Sequence, residues 1–566
     1  MTRSGVSQSR ESRARRAIKA AFLALAVFAV LMAGFSWFID LYCLARPPAH
    51  PEKPWIQSSP LTRHGENASI GSCWISRKDG ILRMNLAGDP FALGYANARL
   101  TQRYLGEQEE NILSTVKRFV PSVAKRWLLK KFVYWMYRDL PEYVAPDYQM
   151  ELFGLTRGYN DPFPEVGPLY QRLLLYHAAG DISHAVVDNP LVGCTTFAAW
   201  GRMTQDGHLI VGRNFDLNAG KSFDENKIVM RVRPDEGLGY ISVAWAGMTG
   251  VVSGMNDAGI AVTINAARSS EKRRIGSPVS FVVRDVLQHA ETLDKAVDII
   301  KNSRVFVSDC YVVASRKAQT AVIVEKTPNR FSVRAPDGQY IICSNHFLSK
   351  DLKDDEGNQK YMSEGTTVDR YKRMEALVQQ HAGAITPEAA ARILRDREVP
   401  GHSVGYGNEA AVNSLTASHS VIMDVSEGIV WVAAYPHQLG AYVPFGLVKF
   451  EGPAGGRIIP ADPILEDGTY EKYTKSLDYL TKAGKLMKDD NLKGAAENAW
   501  MAQALNPDSY LPWLLMGRLA LESGNNKEAR DYFLKSREHY PPYRSEREEI
   551  RARLEKLQSL PGSGEF

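Results

Sequence analysis

The chain has 566 residues, a formal net charge of +5 and 44 % hydrophobic residues, which is enough apolar content for more than one folded unit. Basic and acidic residues are interspersed along most of it, so no continuous basic stripe could follow a nucleic-acid backbone. The sequence therefore argues against nucleic-acid binding. It also lacks an HExxH motif, a P-loop and a dinucleotide fingerprint, so we expect no metal and no cofactor.

The N-terminal segment is typical of a membrane anchor. A basic stretch, residues 1–19, precedes residues 20–39, which hold no charged residue and are about long enough to cross ~30 Å of hydrocarbon as a helix. The alternative is a secretory signal peptide, whose apolar core is usually ~7–15 residues long and ends at a small-x-small cleavage site. We favour an uncleaved single-pass anchor, with the N-terminus in the cytoplasm and the body on the extracytoplasmic side. Residues 40–67 are predicted to be a Pro-containing linker.

The central part of the chain changes character at residue 193. Residues 68–193 are predicted to be largely helical, because residues 98–140 carry apolar side chains at helical spacing. Short β-branched runs broken by Gly, Asn and Asp follow, and NDAG at 256–259 is a hairpin signal. Two helical patterns interrupt these runs, which predicts sheets packed face to face with helices outside.

The C-terminal segment, residues 468–560, has a helical pattern that repeats. Residues 491–507 superpose on residues 525–541 at a shift of 34 residues, so that Asn491 matches Asn525. This period resembles that of tetratricopeptide repeats, whose paired helices stack on one another. An ordinary helical extension docked on the body is the alternative. In both cases we expect this segment to bind a protein partner or brace the body rather than to catalyse.

The cysteines are too few and too scattered for a disulfide framework or a paired metal-ligand pattern. They are Cys43, Cys73, Cys194, Cys310 and Cys343. A Cys310–Cys343 bridge could form, because both residues lie in strand-like runs. Cys194 stands apart, since it follows a glycine and precedes two threonines at the start of a strand-like run.

An ordered set of motifs surrounds Cys194. They are GDPFALGYANARL at 88–100, GCTTF at 193–197, GRNFD at 212–216, GMNDAGIAVTIN at 254–265, SNHF at 344–347 and DRYKRM at 369–374. The set resembles the cysteine N-terminal nucleophile (Ntn) hydrolases. It is most similar to the acyl-CoA:6-aminopenicillanate acyltransferase (isopenicillin N acyltransferase) family, with choloylglycine hydrolases and penicillin V acylases as more distant relatives.

The resemblance implies an α+β fold, the Ntn-hydrolase αββα sandwich, with residues 194–455 as the catalytic domain. Residues 68–193 would be a pro-region, separated from it by self-cleavage between Gly193 and Cys194. A glycine before the cysteine leaves the attack on its own carbonyl unobstructed. The freed α-amine of Cys194, with a pKa of about 7.7–8.0, could then accept the thiol proton. Thr195 would be the nucleophile if the cut lay one bond later, but Gly193 favours Cys194.

Five further residues are candidates for the site. Arg213 is expected to lower the pKa of the Cys194 thiol, and Asp216 to hold the α-amine by a charge-assisted hydrogen bond. A surface ion pair is the alternative for these two. The resemblance assigns oxyanion donors to Asn265 and Asn345, although an asparagine at a strand end is often only a turn residue. It also assigns a later arginine, Arg370, with Arg373 one helical turn away as the alternative.

These assignments predict a membrane-anchored, self-processing amidohydrolase that cleaves a small linear N-acyl amide through a thioester on Cys194. Because the amine serves as base, we expect three histidines, His346, His402 and His419, to be structural or to line the pocket. Hydrolysis is favoured over acyl transfer to an amine. An inactive scaffold carrying the helical repeat and a peptidase acting on other proteins are the alternatives.

Overall fold

Runs of strands are separated by runs of helices along the described chain, and the C-terminal tail is helical. The computed structural model describes residues 4–49, 55–186, 192–217, 220–450 and 455–559. Residues 1–3 of the predicted basic segment and residue 560, the predicted end of the helical tail, lie outside these ranges. The helices are Ser4–Tyr42 (α1), Trp55–Ser58 (α2), Pro90–Phe119 (α3), Val123–Met136 (α4), Pro146–Gly158 (α5), Leu169–His177 (α6), Ala179–Val186 (α7), Lys221–Glu225 (α8), Val279–His289 (α9), Leu293–Asn302 (α10), Glu356–Glu364 (α11), Thr367–Gln380 (α12), Pro387–Leu394 (α13), Thr469–Lys488 (α14), Leu492–Leu505 (α15), Tyr510–Glu522 (α16), Asn526–Glu538 (α17) and Arg544–Gln558 (α18).

The strands form two sheets. They are Leu61–His64 (β1), Asn67–Ile70 (β2), Cys73–Lys78 (β3), Ile81–Gly88 (β4), Val192–Gly201 (β5), Gly207–Leu217 (β6), Ile228–Pro234 (β7), Tyr240–Ala244 (β8), Ser253–Asn256 (β9), Ile260–Ala267 (β10), Ser308–Ser315 (β11), Thr320–Lys326 (β12), Phe331–Arg334 (β13), Tyr340–Cys343 (β14), Ala417–Asp424 (β15), Ile429–Ala433 (β16) and Tyr442–Gly446 (β17). The larger sheet has the order β1-β2-β3-β4-β7-β8-β9-β10-β11-β12-β13, and the smaller has the order β14-β5-β6-β15-β16-β17. Among the described strands, β4 and β7 pair in parallel and the other pairs are antiparallel.

The two sheets pack face to face, with helices on both outer faces. Val211 of the smaller sheet and Val312 of the larger one share a single apolar cluster between the sheets. The outer face of the larger sheet packs against α3, α5, α9 and α10, and that of the smaller sheet packs against α12 and α13. The expectation of a mixed fold with two facing sheets is thus confirmed. Burial on both faces explains why the strands read as short apolar runs.

The prediction that residues 68–193 are largely helical is wrong at their start. Strands β2, β3 and β4 occupy residues 67–88 and extend the larger sheet, with β4 pairing in parallel with β7. The helical part follows, and α3 crosses α5 closely. A Cβ on Gly94 would lie 1.8 Å from the carbonyl oxygen of Glu151, so only glycine permits this approach. The N-terminal part of the sandwich is therefore built by the segment predicted to be a pro-region.

The prediction that residues 40–67 form a linker also needs correction. Helix α1 continues to Tyr42, and the amide of Ala45 donates to Oε1 of Gln171 on α6 at 2.6 Å. Helix α2 and strand β1 lie in the same segment, and β1 pairs with β2 at the sheet edge. The described parts of this segment, residues 40–49 and 55–67, thus make contacts with the body, and residues 50–54 of the predicted linker lie outside the described residues.

Helix α1 contains the predicted anchor. Residues Ile18–Tyr42 are long and apolar enough to cross a membrane, with a mean hydropathy of 2.4, and most of their side chains are exposed. Length and composition alone support this interpretation, and a signal sequence would pass the same test.

The helical tail consists of two antiparallel helix pairs, α14–α15 and α16–α17, followed by α18. Asn491 and Asn525, which match at the 34-residue shift, cap α15 and α17 in the same way through their side-chain oxygens. The Ser476–Ala502 and Tyr510–Ser536 pairs match too, and in each the serine hydroxyl donates to the partner's carbonyl. Such matched contacts are what a repeat requires, and assignment to tetratricopeptide repeats stays a prediction.

Candidate active site

The β5–β6 hairpin brings three predicted site residues together. In its register Gly193 lies opposite Asp216, Cys194 opposite Phe215 and Thr196 opposite Arg213. Because side chains alternate between the faces of a strand, Cys194 and Arg213 point to one face of the sheet and Asp216 to the other. The hairpin thus brings the GCTTF cysteine into contact with the GRNFD arginine, which lies 19 positions later in the chain.

The end of β14 and helix α12 supply two more predicted residues. Cys343 of β14 pairs with Thr196, which places Asn345 beside the start of β5. The backbone amide of Cys194 donates to Oδ1 of Asn345 at 2.9 Å, and Nη2 of Arg370 donates to the same oxygen at 2.8 Å. Nη1 of Arg370 donates to the Cys194 carbonyl oxygen at 2.6 Å. The backbone of Cys194 is therefore fixed on both its N–H and its C=O.

Arg213 is the cation nearest the thiol. Its Nη2 donates to Sγ of Cys194 at 3.4 Å. The other N–H groups of Nη1 and Nη2 donate to the Val252 carbonyl at 2.8 Å, to the Ser253 hydroxyl and to the Ile264 carbonyl, while Nε is buried with no partner among the described residues. Complete burial lowers the pKa of Arg213 from its ordinary value. Four of the five N–H groups of the guanidinium nevertheless have hydrogen-bond partners. This fixes the guanidinium against the sulfur.

The thiol itself is fully buried. Burial raises the pKa of Cys194, and the positive charge of Arg213 opposes this rise. In the uncut chain the thiol therefore stays protonated at neutral pH, and its reaction needs a base to take the proton.

Asp216 lies on the other face, against the Gly193–Cys194 peptide. A Cβ built on Gly193 would lie 3.5 Å from Oδ2 of Asp216 and 3.8 Å from Nη2 of Arg370. Burial raises the pKa of Asp216 to about 7, against the opposing charges of Arg370 and Arg213. Oδ1 of this carboxyl is buried with no hydrogen-bond partner among the described residues, so it can accept a new donor.

The raised pKa of Asp216 predicts a pH-dependent stability of the uncut chain. A carboxyl that keeps its proton better when folded stabilises the fold at low pH, and this contribution is lost as pH rises from about 4 to about 7. In an uncut Cys194→Ala chain we expect Asp216→Asn to reduce the fall in the free energy of unfolding between pH 5 and pH 8. Urea denaturation at both pH values measures it. Asp298→Asn, which changes an exposed carboxyl on α10, is the matched control, and an Asp216→Asn chain with the same pH slope as this control would contradict the prediction.

The two predicted oxyanion donors are engaged elsewhere in the uncut chain. Nδ2 of Asn265 donates to the Cys343 carbonyl at 3.3 Å while its Oδ1 accepts from the Thr196 hydroxyl at 3.0 Å. Nδ2 of Asn345 donates to the Ala266 carbonyl at 2.8 Å. The structure thus brings both asparagines to the site, with Asn345 on the amide of Cys194. Their role as oxyanion donors stays a prediction.

The structure distinguishes the two candidate arginines of α12. Arg370 is buried and contacts Cys194, Thr195 and Asn345. Arg373 instead forms ion pairs with Asp396 and Glu398 at 2.6 and 2.7 Å, away from the cysteine. Arg370 and Arg373 therefore lie in different environments, although they are three residues apart on one helix.

The histidines lie where structural residues are expected. His346 contacts the Thr367 hydroxyl at 2.8 Å, and burial lowers its pKa to about 3. His419 contacts the Ser253 hydroxyl at 3.0 Å, and burial lowers its pKa well below the ordinary value. His402 packs on Tyr540 of the tail. No hydrogen bond joins any of the three to Cys194 among the described residues.

Sequence reasoning missed the residues that hold the site residues in place. Ser253 binds both Arg213 and His419, and Thr367 binds the amide of Asn345 and the hydroxyl of Ser344. Thr367 precedes Arg370 by three residues, so its place on the same helical turn as a predicted site residue could have indicated it. Ser253 lies in an apolar run that gives none.

The cysteines outside the site are also buried, and all five are free thiols. The Cys310–Cys343 bridge considered above is not formed. Within the described residues, no group of three or more His, Cys, Asp or Glu side chains is placed to hold a metal ion.

Comparison with known proteins matches residues 202–435 to the family model of acyl-coenzyme A:6-aminopenicillanic acid acyl-transferase. The predicted family resemblance is confirmed. The match to this acyl-transferase family includes the predicted arginines, asparagines and Asp216, and begins after Cys194.

The chain is also similar to individual proteins. It is 23 % identical over 395 residues to an uncharacterised protein of Archaeoglobus fulgidus, covering 62 % of this chain and 63 % of that one. It is 25 % identical over 230 residues to the N-acylethanolamine-hydrolyzing acid amidase of Caenorhabditis elegans, covering 39 % and 60 %. The chain thus spans less than two thirds of the length of these relatives. The structure of a mutant conjugated bile acid hydrolase from Clostridium perfringens is 14 % identical, with a TM-score of 0.33, and the match covers 47 % of this chain and 95 % of that one.

Proposed function

We propose that this protein is a self-processing Ntn hydrolase that cleaves a linear N-acyl amide through a thioester on Cys194. The observation that carries the proposal is the set of contacts around this residue. Its amide binds Asn345, its carbonyl binds Arg370 and its thiol contacts Arg213. A structural cysteine needs none of these three contacts.

Self-cleavage begins with attack of Sγ of Cys194 on the Gly193 carbonyl carbon. The peptide C–N bond breaks, the nitrogen takes the thiol proton, and Gly193 is left as a thioester on the sulfur. Water then hydrolyses this thioester and restores the thiol. The Arg370 and Asn345 contacts hold the attacking residue still, and Gly193 has no side chain in the path of the sulfur.

Cleavage creates the base that amide hydrolysis needs. The new α-amine of Cys194 can take the thiol proton, while Arg213 stabilises the thiolate. Asp216 faces the Gly193–Cys194 junction with an unpartnered oxygen, so it can bind the protonated amine. The thiolate attacks the substrate carbonyl carbon. The substrate's amine leaves with the proton that the α-amine had taken, and water then releases the acid from the thioester.

Transfer of the acyl group to an amine instead of water is the second candidate. The name of the matching family model, an acyl-transferase, favours it. Both reactions share the thioester on Cys194 and differ in the acceptor.

The ends of the chain extend this proposal. Helix α1 would anchor the enzyme in a membrane, since Ile18–Tyr42 has the length and apolarity of a span. The matched helix pairs of the tail would form tetratricopeptide-like repeats that bind a protein partner.

Intact-mass analysis with N-terminal sequencing tests the proposal. We expect fragments of 193 and 373 residues, the larger one beginning CTTF. The cleaved protein is then incubated with chromogenic N-acyl anilides, with and without a small primary amine. Release of free acid supports hydrolysis, and a new N-acyl amine supports transfer. A single uncut chain without amidase activity would favour the scaffold alternative.

A further inference from the structure

An exposed helical hairpin carries a group of large exposed apolar side chains on the body. It comprises residues 116–135, the end of α3 and most of α4, and is called the basic hairpin below. Six of its apolar side chains are between 42 % and 75 % exposed: Phe119, Val123, Leu128, Leu129, Phe132 and Trp135. A contiguous exposed apolar patch marks an interaction surface, whereas scattered apolar residues do not.

The exposed residues of α4 follow its helical period. Leu128, Phe132 and Trp135 are spaced by four and three residues and so share one face. Lys131 and Tyr134 lie on the adjoining side of the helix, which is buried against the protein. The helix therefore packs with its polar and tyrosine side and presents its apolar side outward, which is the reverse of an ordinary surface helix.

The charge of the basic hairpin has one sign. Its twenty residues include six lysines and arginines and no acidic residue. Two guanidinium groups lie over its aromatic rings, Arg118 over Phe119 at 5.3 Å and the neighbouring Arg138 over Trp135 at 5.7 Å. Basic, aromatic and aliphatic side chains in this combination are typical of helices that lie in a membrane interface and attract anionic lipids.

The basic hairpin contacts the C-terminal end of the candidate membrane span. Nζ of Lys131 forms an ion pair with Asp40 of α1 at 2.5 Å, and Tyr134 shares a buried cluster with Ile39 and Cys43. These residues lie at the C-terminal end of the candidate span. Helix α4 is thus fixed at the level where α1 would leave the hydrocarbon.

We propose that the basic hairpin lies in the headgroup region of the bilayer that α1 crosses, with its exposed apolar side chains at the acyl boundary and its exposed basic residues, Lys117, Arg118 and Lys125, on anionic lipid phosphates. This rests on the proposed role of α1 as an anchor. The body would then be held on the membrane at two points, which fixes its orientation as well as its distance.

Lipid quenching in the full-length chain tests the proposal. Phe132→Cys and Val333→Cys, the latter on edge strand β13, are each labelled with a nitrobenzoxadiazole dye, because the native cysteines are buried. The proteins are reconstituted into vesicles of phosphatidylcholine and phosphatidylglycerol with brominated acyl chains. We expect quenching at position 132 to exceed that at position 333 about threefold or more, since interfacial helices insert ~5–10 Å.

Flotation of the same vesicles separates the two ways to fail. A chain that does not float with lipid overturns both the anchor and the hairpin proposal. A chain that floats but is quenched equally at both positions overturns the hairpin proposal alone. If position 132 is protected from quenching and this protection disappears on dilution with excess lipid, a second copy of the chain covers the hairpin. This result would also overturn the hairpin proposal.

Discussion

A chain carrying Cys194→Ala is expected to remain a single polypeptide and to lose amidase activity by about 10⁵-fold or more, because one residue supplies the attacking sulfur and, after cleavage, the base. The substitution removes only Sγ. The backbone contacts of residue 194 with Asn345 and Arg370 are made by its N–H and C=O, so the fold around the site should persist. Gel mobility, intact mass and hydrolysis of an N-acyl anilide measure the two effects.

Cys73→Ala is the matched control. Cys73 is equally buried in a strand, where Sγ lies 3.4 Å from the Ala87 carbonyl oxygen, and it has no contact with the site. This variant should be cut and active, with at most a modest loss of stability. Cleavage of the Cys194→Ala chain at the same bond would show that another nucleophile acts there, and would remove the Ntn mechanism.

The candidate site is accessible to sequence reasoning because its residues lie in motifs that follow a fixed order along the chain. The GRNFD motif places Arg213 and Asp216 on one strand next to Cys194, and the observed hairpin register does the same. The side-chain partners are not accessible in this way. The resemblance assigns Asn345 to an oxyanion, yet it binds the amide of Cys194, 151 positions earlier, and this contact depends on how β14 pairs with β5.

The fold shows the same division between local and long-range information. The hairpin signal NDAG correctly predicts the β9–β10 turn, whose register follows from neighbouring residues. Sequence reasoning misses strands β2–β4 because residues 98–140 dominate the pattern of their segment, and because β4 pairs with β7, whose residues come 146 positions later in the chain (Leu82 pairs with Ile228). Such pairing is decided by tertiary contacts, which propensity does not describe.

The contact between α1 and α4 is also hidden in the sequence. Lys131 lies among other lysines and arginines, and nothing in that run distinguishes it as the residue that pairs with Asp40. The structure distinguishes it by burial, since its neighbour Lys130 remains partly exposed.

Arg213→Gln is expected to lower kcat/KM at pH 7 by about 10²- to 10³-fold, the effect of losing one fixed electrostatic donor in a buried site. The guanidinium is the nearest charge opposing the rise in thiol pKa caused by burial. Without it the pKa of Cys194 should move further up, so the loss should shrink as pH is raised. The pH profile of iodoacetamide alkylation of the cleaved enzyme reports this pKa directly.

Arg373→Gln serves as the control, because it removes an arginine of the same helix as Arg370 whose partners are Asp396 and Glu398. It should leave the alkylation profile unchanged. Arg213→Lys keeps the charge but loses the fork to the Val252 and Ile264 carbonyls, so it should fall between wild type and Arg213→Gln. If a folded, cleaved Arg213→Gln enzyme alkylates with the wild-type pH profile, Arg213 only braces the strands. The α-amine would then be the main group activating the sulfur, because no other cation donates a hydrogen bond to Sγ among the described residues.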